Sequence, residues 1–377
     1  MNDKILIRTL DVYNGNYGGV MQAFALQRVI DSLGFEAWTD RSYPVGATGR
    51  LKQLAKPLVT RLAPRGVVPI RLAAPVLNRE LDSFVDRHIR TVDLYGGRRA
   101  PRRALLETYQ GFVVGSDQVW RHAYADIPSY LLDFAADLPV PRVAYAASFG
   151  LDGLDGYDAD LLELSRGLAN QLSAVSVRES SGVEICRTSW GLDAVQVLDP
   201  TMLLTKEDYA ALVPSTSPGD DTGPTVFKFT LDDDPEKRAL TADIAASLGA
   251  SVNQFMPPSP TSYREVLDDP GTYRKAPVGE WLRGFAEADF VVTDSFHGTV
   301  FSLIFEKPFV AVVNPSRGAA RFTSLLDSFG LANRLHVNGA RAASVNEPID
   351  WSKVRHVLEG ERVRSTAFLR TALGREQ

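Results

Sequence analysis

Cysteine is almost missing from this 377-residue chain. Cys186, the one present, excludes an internal disulfide and a cysteine-based metal cluster. A dominant charge sign is missing too. The 46 acidic and 41 basic residues leave a net charge of −5, which argues against bulk nucleic-acid binding. No apolar run approaches the roughly 18–20 residues of a membrane-spanning helix. The start, MNDKILIRTLDVYNGN, has no basic segment followed by a long apolar one, so no signal peptide is expected. HExxH, GxSxG and GK[ST] patterns do not occur, which leaves metal and serine-nucleophile chemistry with little support. The expectation is a soluble, cytoplasmic protein without a metal or cofactor.

What is present is α/β texture. KILIRTL (4–10) reads as a short buried strand, followed by the loop DVYNGNYGG. Ala23, Leu26, Ile30 and Leu33 then recur at helical spacing until Gly34 ends the helix. GFVVG, RVAYAASFG, AVSVRES and AVQVLD repeat the strand signal. After the linker candidate PSTSPGDDTGP (214–224), TVFKFTL, SVNQFM, FVVTDS and PFVAVV alternate with helical stretches. Strands alternating with helices imply parallel sheets. We therefore expect an N-terminal domain over 1–213 and a C-terminal one over 224–350. A helical segment, 351–377, is expected to cross back over both. Residues 41–110 break the pattern: they are rich in Pro and Arg, and basic residues outnumber acidic ones from Arg50 to Arg103. They read either as a solvated helical insertion or as a surface that leans on anionic lipid or polymer.

Ligands of open parallel sheets bind beyond the strands' carboxyl ends. The polar residues there are Ser116, Asp117, Gln118, Ser148, Arg178, Glu179, Asp199 and Thr201. Asp117 and Gln118 suit sugar hydroxyls, or Asp117 caps the next segment. Arg178 suits a carboxylate or phosphate, or an interdomain salt bridge. NGNYGGVMQ lets backbone approach a ligand, or is a plain tight turn. Arg317 and Arg321 follow a strand and suit an anion. The strongest local signal is DSFHG, which sets His297 at the start of a helix. The positive end of the helix disfavours a second positive charge, which would poise an imidazole there for proton transfer. His88, His122, His336 and His356 lie in segments without such a turn and read as surface or packing residues.

NYGGVMQAFALQ, GSDQVW, YAASFG, SVRE, LDPTMLL and TDSFHGTVFSLIFEKPF occur in that order. Together they resemble the polysaccharide pyruvyl transferase family, from about residue 9 to about residue 335. The resemblance implies a GT-B-like fold of two Rossmann-like domains around a cleft. It also implies transfer of the pyruvyl group of phosphoenolpyruvate onto a sugar as a cyclic ketal, with phosphate release. The family's histidine falls on His297 and its strand-end arginine on Arg178. Many members carry Asn after GSDQVW, where this chain has Arg121. On this reading Arg178, Ser295, Gly298, Thr299 and Arg321 hold the donor. Asn16, Tyr17, Ser116, Asp117 and Gln118 face the sugar or glycan acceptor. The alternative is a GT-B-type glycosyltransferase using a nucleotide-sugar donor.

Overall fold

Short apolar runs such as ILI and FVV carry no polar face, so they are stable only where helices cover both sides of a sheet. The computed structural model, which describes residues 3–42, 70–215, 223–313, 318–337 and 347–375, arranges them so. The N-terminal sheet has seven strands: β1 (Lys4–Arg8), β2 (Glu36–Asp40), β3 (Thr91–Val92), β4 (Gly111–Val114), β5 (Arg142–Ala147), β6 (Ala174–Val177) and β7 (Val195–Gln196). Their order is β3-β2-β1-β4-β5-β6-β7, and every pair is parallel. The second sheet holds β8 (Thr225–Phe229), β9 (Ser251–Gln254), β10 (Phe290–Thr293), β11 (Phe309–Val313) and β12 (Leu335–Val337). It runs β12-β11-β10-β8-β9, again all parallel. These are two Rossmann-like units in the GT-B-like plan. Strand order reverses between β1 and β4 in one and between β8 and β10 in the other, so each has a ligand crevice at that point.

An apolar core joins the two sheets. Helix α1 (Tyr17–Ser32) meets α2 (Val278–Glu287) and α3 (Phe296–Ile304) there. Tyr17 stacks on Trp281 with ring centroids 5.4 Å apart, and Trp281 meets the Phe301 ring at 4.7 Å. Such aromatic pairs add about 0.5–1.5 kcal/mol each beyond the area they bury. Helix α5 (Trp351–Ala372) contributes Val354 and Leu358 to this core and Leu369 to the core behind the first sheet. Arg362 on α5 also donates to the carbonyls of Met202 and Leu204.

The stretch read as an insertion is partly framework. Leu81, Phe84 and Val85 of the Arg79–His88 helix are buried against α1, and β3 forms the sheet edge. A two-residue strand is too short to show alternation, which is why the pattern gave no sign of it. The basic stretch LKQLAKPLVTRLA and most of the linker candidate lie outside the described residues. Cys186 is buried, and burial pushes its thiol up to about 12, the state of an inert structural cysteine. Among the described residues no helix is long and apolar enough to cross a membrane.

Candidate active site

The site is built where β10 ends. Ser295 caps α3, its hydroxyl accepting from the Gly298 amide at 3.3 Å. Asp294 anchors the turn: it accepts from the Leu231 amide at 2.6 Å, the Asp232 amide at 3.1 Å and Lys237 Nζ at 2.7 Å. His297, in the first turn of α3, is thereby fixed and 5% exposed. Across the domain boundary Gly18 leaves it room. A Cβ at Gly18 would lie 2.1 Å from His297 Nδ1, so any side chain there collides with the imidazole.

His297 Nε2 points to the other domain. It lies 3.6 Å from Asp199 Oδ2 and has no hydrogen-bond partner among the described residues. The same oxygen accepts from Arg178 Nη1 at 2.8 Å and from Ser116 Oγ at 3.2 Å. Oδ1 accepts from the Thr201 amide at 3.1 Å and the Thr201 hydroxyl at 2.7 Å. Burial works to neutralise Asp199, but His297, Arg178 and Thr201 prevail and hold its carboxyl far below the usual carboxylate range. A fixed anion thus faces the imidazole. The sequence reading placed the ring at a helix start but did not place this carboxylate beside it.

A cavity of about 670 Å³ opens in front of His297, lined by Asn16, Asp117, Gln118, Arg121, Ser295 and Arg321 among others. That is within the range of about 300–1,000 Å³ typical of small-molecule sites. Both strand-order reversals feed it, through the segments after β1, β4, β8 and β10. Arg321, on α4 (Ala320–Ser328), is buried at its back. Burial and the nearby Arg178 charge bring its guanidinium down to about 10, which leaves it cationic at neutral pH. Both arginines lie by the Phe296 ring, Arg178 4.2 Å and Arg321 5.9 Å from its centroid.

Several expected contacts are arranged differently. Arg178 does not line the cavity. Asp199, Asp117 at 3.4 Å and Glu179 at 3.9 Å surround its guanidinium, so its charge is answered inside the N-terminal domain. Tyr17 is 2% exposed, and its hydroxyl donates to the Ala276 carbonyl; it belongs to the interdomain core rather than to an acceptor surface. Ser116 is fully buried and holds Asp199 and Gln22. The Gly298 and Thr299 amides donate to Ser295 within the chain, so neither is directed at a ligand. Asn16 and Gln118 do reach the cavity, although Asn16 also caps α1 and Gln118 accepts from Arg121 at 2.9 Å. Asp117 lines it while touching Arg178. Arg317 lies outside the described residues. His88, His122, His336 and His356 do not line the cavity; His336 is buried on β12.

Two positions packed against the imidazole were not singled out in the sequence. Asp199 stood among the strand-end polar residues, but nothing in LDPTMLL says that its carboxylate turns to a histidine about a hundred residues away. Gly18 was legible as a loop glycine and not as the seat of an imidazole.

Solved structures with similar architecture include a UDP-GlcNAc 2-epimerase from Neisseria meningitidis bound to UDP-GlcNAc, with 8% identity and a TM-score of 0.47, covering 99% of this chain and 100% of that one. Another is the S. aureus MnaA–UDP structure, with 12% identity and a TM-score of 0.49, covering 100% and 98%. A third is the glycosyltransferase SnogD from Streptomyces nogalater, with 13% identity and a TM-score of 0.41, covering 99% and 98%. No curated protein sequence matches. The polysaccharide pyruvyl transferase family model matches residues 16–316, most of the chain, including Asn16, Asp117, Gln118, Arg121 and His297 at the cavity. The chain belongs to the polysaccharide pyruvyl transferase family.

Proposed function

We propose that this protein moves the pyruvyl group of phosphoenolpyruvate onto two hydroxyls of a sugar, forming a cyclic ketal and releasing phosphate. The observation that carries the reading is the imidazole of His297, held between Gly18 and an ionised Asp199 at the mouth of a cavity backed by Arg321. The chemistry needs an acid at the vinyl carbon, and an imidazole at the cavity is a side chain suited to that proton transfer. His297 delivers that proton to the CH₂ carbon, which becomes a methyl group. The adjacent carbon turns electrophilic and one sugar hydroxyl adds to it. The C–O bond to phosphate then breaks, and the second hydroxyl closes the ketal. Two hydroxyl protons are released in all: one restores the acid and the other leaves on phosphate.

Arg321 is the better clamp for the donor's phosphate or carboxylate, since it faces the cavity. Arg121, also facing it, is a second cation for the same anion. Arg178 acts behind them by fixing Asp199. Asn16, Asp117 and Gln118 suit the acceptor's hydroxyls. The scheme assigns no step to a metal or cofactor.

The test is direct. Phosphoenolpyruvate should raise the melting temperature, and phosphate release with a glycan panel should accompany a pyruvate mass gain on one member. Stabilisation by nucleotide sugars instead, with glycosyl transfer, would overturn the donor in favour of the glycosyltransferase reading.

A further inference from the structure

Arg321 enters the cavity from α4 of the C-terminal domain, yet charges of the other domain surround it. Arg178, Asp117, Glu179 and Arg121 all act on its guanidinium. Where Arg321 stands among them depends on how α4 docks on the N-terminal domain.

Two cross-domain contacts bracket Arg321 along the chain. Before it, Gly318, at φ +90°, passes the N-terminal loop so closely that an added Cβ would lie 2.0 Å from the Gly150 carbonyl oxygen. After it, Ser324 Oγ accepts from the Ser180 amide at 3.0 Å and from Gln196 Nε2 at 2.8 Å. Ser324 is 7% exposed, so both bonds are shielded from water. Both donors belong to the strand end that carries Arg178. Ser180 follows it in the chain, and Gln196 on β7 also donates to the Arg178 carbonyl at 3.4 Å. Helix residues three apart share a face, so the side of α4 that docks also carries the guanidinium. Held at Gly318 alone, α4 could swing about its first turn. The Ser324 bonds remove that freedom.

We infer that Ser324 is a positioning residue for the donor: it fastens α4 to the N-terminal domain and so sets Arg321 at the cavity. Ser324 does not line the cavity, so it acts through Arg321. The inference rests on the reading of Arg321 as the clamp for the donor's phosphate or carboxylate. The anion site is then composite, with a guanidinium from one domain held by a latch on the other.

The experiment measures binding without turnover on the full-length protein. Affinity for phosphoenolpyruvate is read by calorimetry and from the rise in melting temperature with its concentration, which reaches weak binding. Ser324→Ala should weaken binding by about ten-fold. Ser324→Thr keeps the hydroxyl that the isosteric Ser324→Val lacks, so the Thr variant should bind more tightly than the Val variant. In an Arg321→Ala background, Ser324→Ala should weaken binding no further, because the two residues act as one unit. Gln196→Met removes one of the two donors and should weaken binding by a smaller factor, which keeps the latch testable should the Ser324 variants fold poorly. Unchanged affinity in Ser324→Ala, equal affinity in the Thr and Val variants, or a further loss in the Arg321→Ala background each overturns the role. A lower melting temperature with donor affinity intact would reduce Ser324 to a structural contact. Inorganic phosphate is titrated in parallel. Phosphate binding that Ser324→Ala weakens, without any response of the wild-type protein to phosphoenolpyruvate, would leave the latch standing and remove the donor reading instead. Binding of neither anion by the wild-type protein would overturn the latch as part of an anion site.

Discussion

The two walls of the cleft are built on opposite principles. On the N-terminal wall Arg178, Asp199, Asp117, Glu179 and Ser116 are buried and bonded chiefly to one another. On the C-terminal wall His297 and Arg321 lie at the cavity, with ring faces and a helix end for support. One wall is a charge framework, and the other brings an imidazole and a guanidinium to the cavity. The difference teaches that an arginine at a strand end is not a ligand-binding group by position alone. Its neighbours decide whether its donors remain available.

Removing the reactive group should do most. His297→Ala should keep the melting temperature within a few degrees and lower the rate by at least ~10²-fold, the usual scale for a general acid or base. Steady-state phosphate release checks it, and near-wild-type turnover would take His297 out of the mechanism. Gly18→Ala should come close, about 10²-fold, by displacing the imidazole without touching its chemistry. A normal rate in that variant would show that the ring's seat is not catalytic.

The framework wall is broken by Asp199→Asn. It leaves Arg178 under-compensated in a buried site and should cost about 3 kcal/mol of stability, as loss of one partner of a buried ion pair does. Denaturant unfolding reads this, and the rate at saturating substrate should fall by about ten-fold as well. The sign of the pH dependence follows. A carboxylate depressed in the folded state stabilises above its unfolded value near ~3.9 and loses that contribution only as pH falls through the folded value. Asp199 should therefore produce no acid transition in stability or rate above about pH 4. Such a transition that disappears in Asp199→Asn would contradict its assigned state.

Smaller effects sharpen the contrast. Arg321→Lys should weaken phosphoenolpyruvate binding by about ten-fold, because the planar fork is lost. Arg178→Lys should leave donor affinity nearly unchanged and lower stability instead. Equal losses of donor affinity in both would erase the distinction between the walls. Least of all, Tyr17→Phe should cost about 1 kcal/mol for the hydroxyl bonded to Ala276 and leave the acceptor KM unaltered.

The strands that carry the site were readable because each is a short apolar run closed by small or polar residues, as in GFVVGSDQ and FVVTDSFHG. His297 stood out for the same reason: a polar turn interrupts two apolar runs. β3 and β12 were not readable, being short strands outside any apolar run, whereas the equally short β7 sits within AVQVLD. Tyr17 was misjudged because a tyrosine in a glycine-rich loop looks like a ligand-facing group. Only the position of Trp281, far along the chain, makes it a core residue.

Local order was settled by the chain alone: the alternation of strand and helix, the two parallel sheets, and the residues delivered to the strands' carboxyl ends. Backbone periodicity and turn chemistry act over a few residues, so they are written in consecutive letters. Which of those residues face one another was decided by the packing of one sheet against the other. Asp199 meets His297, Gly18 makes room for it, and Arg178 is surrounded by carboxylates only because a shared aromatic core sets the two units in one register. That register depends on shape complementarity between distant segments, and no local pattern encodes it.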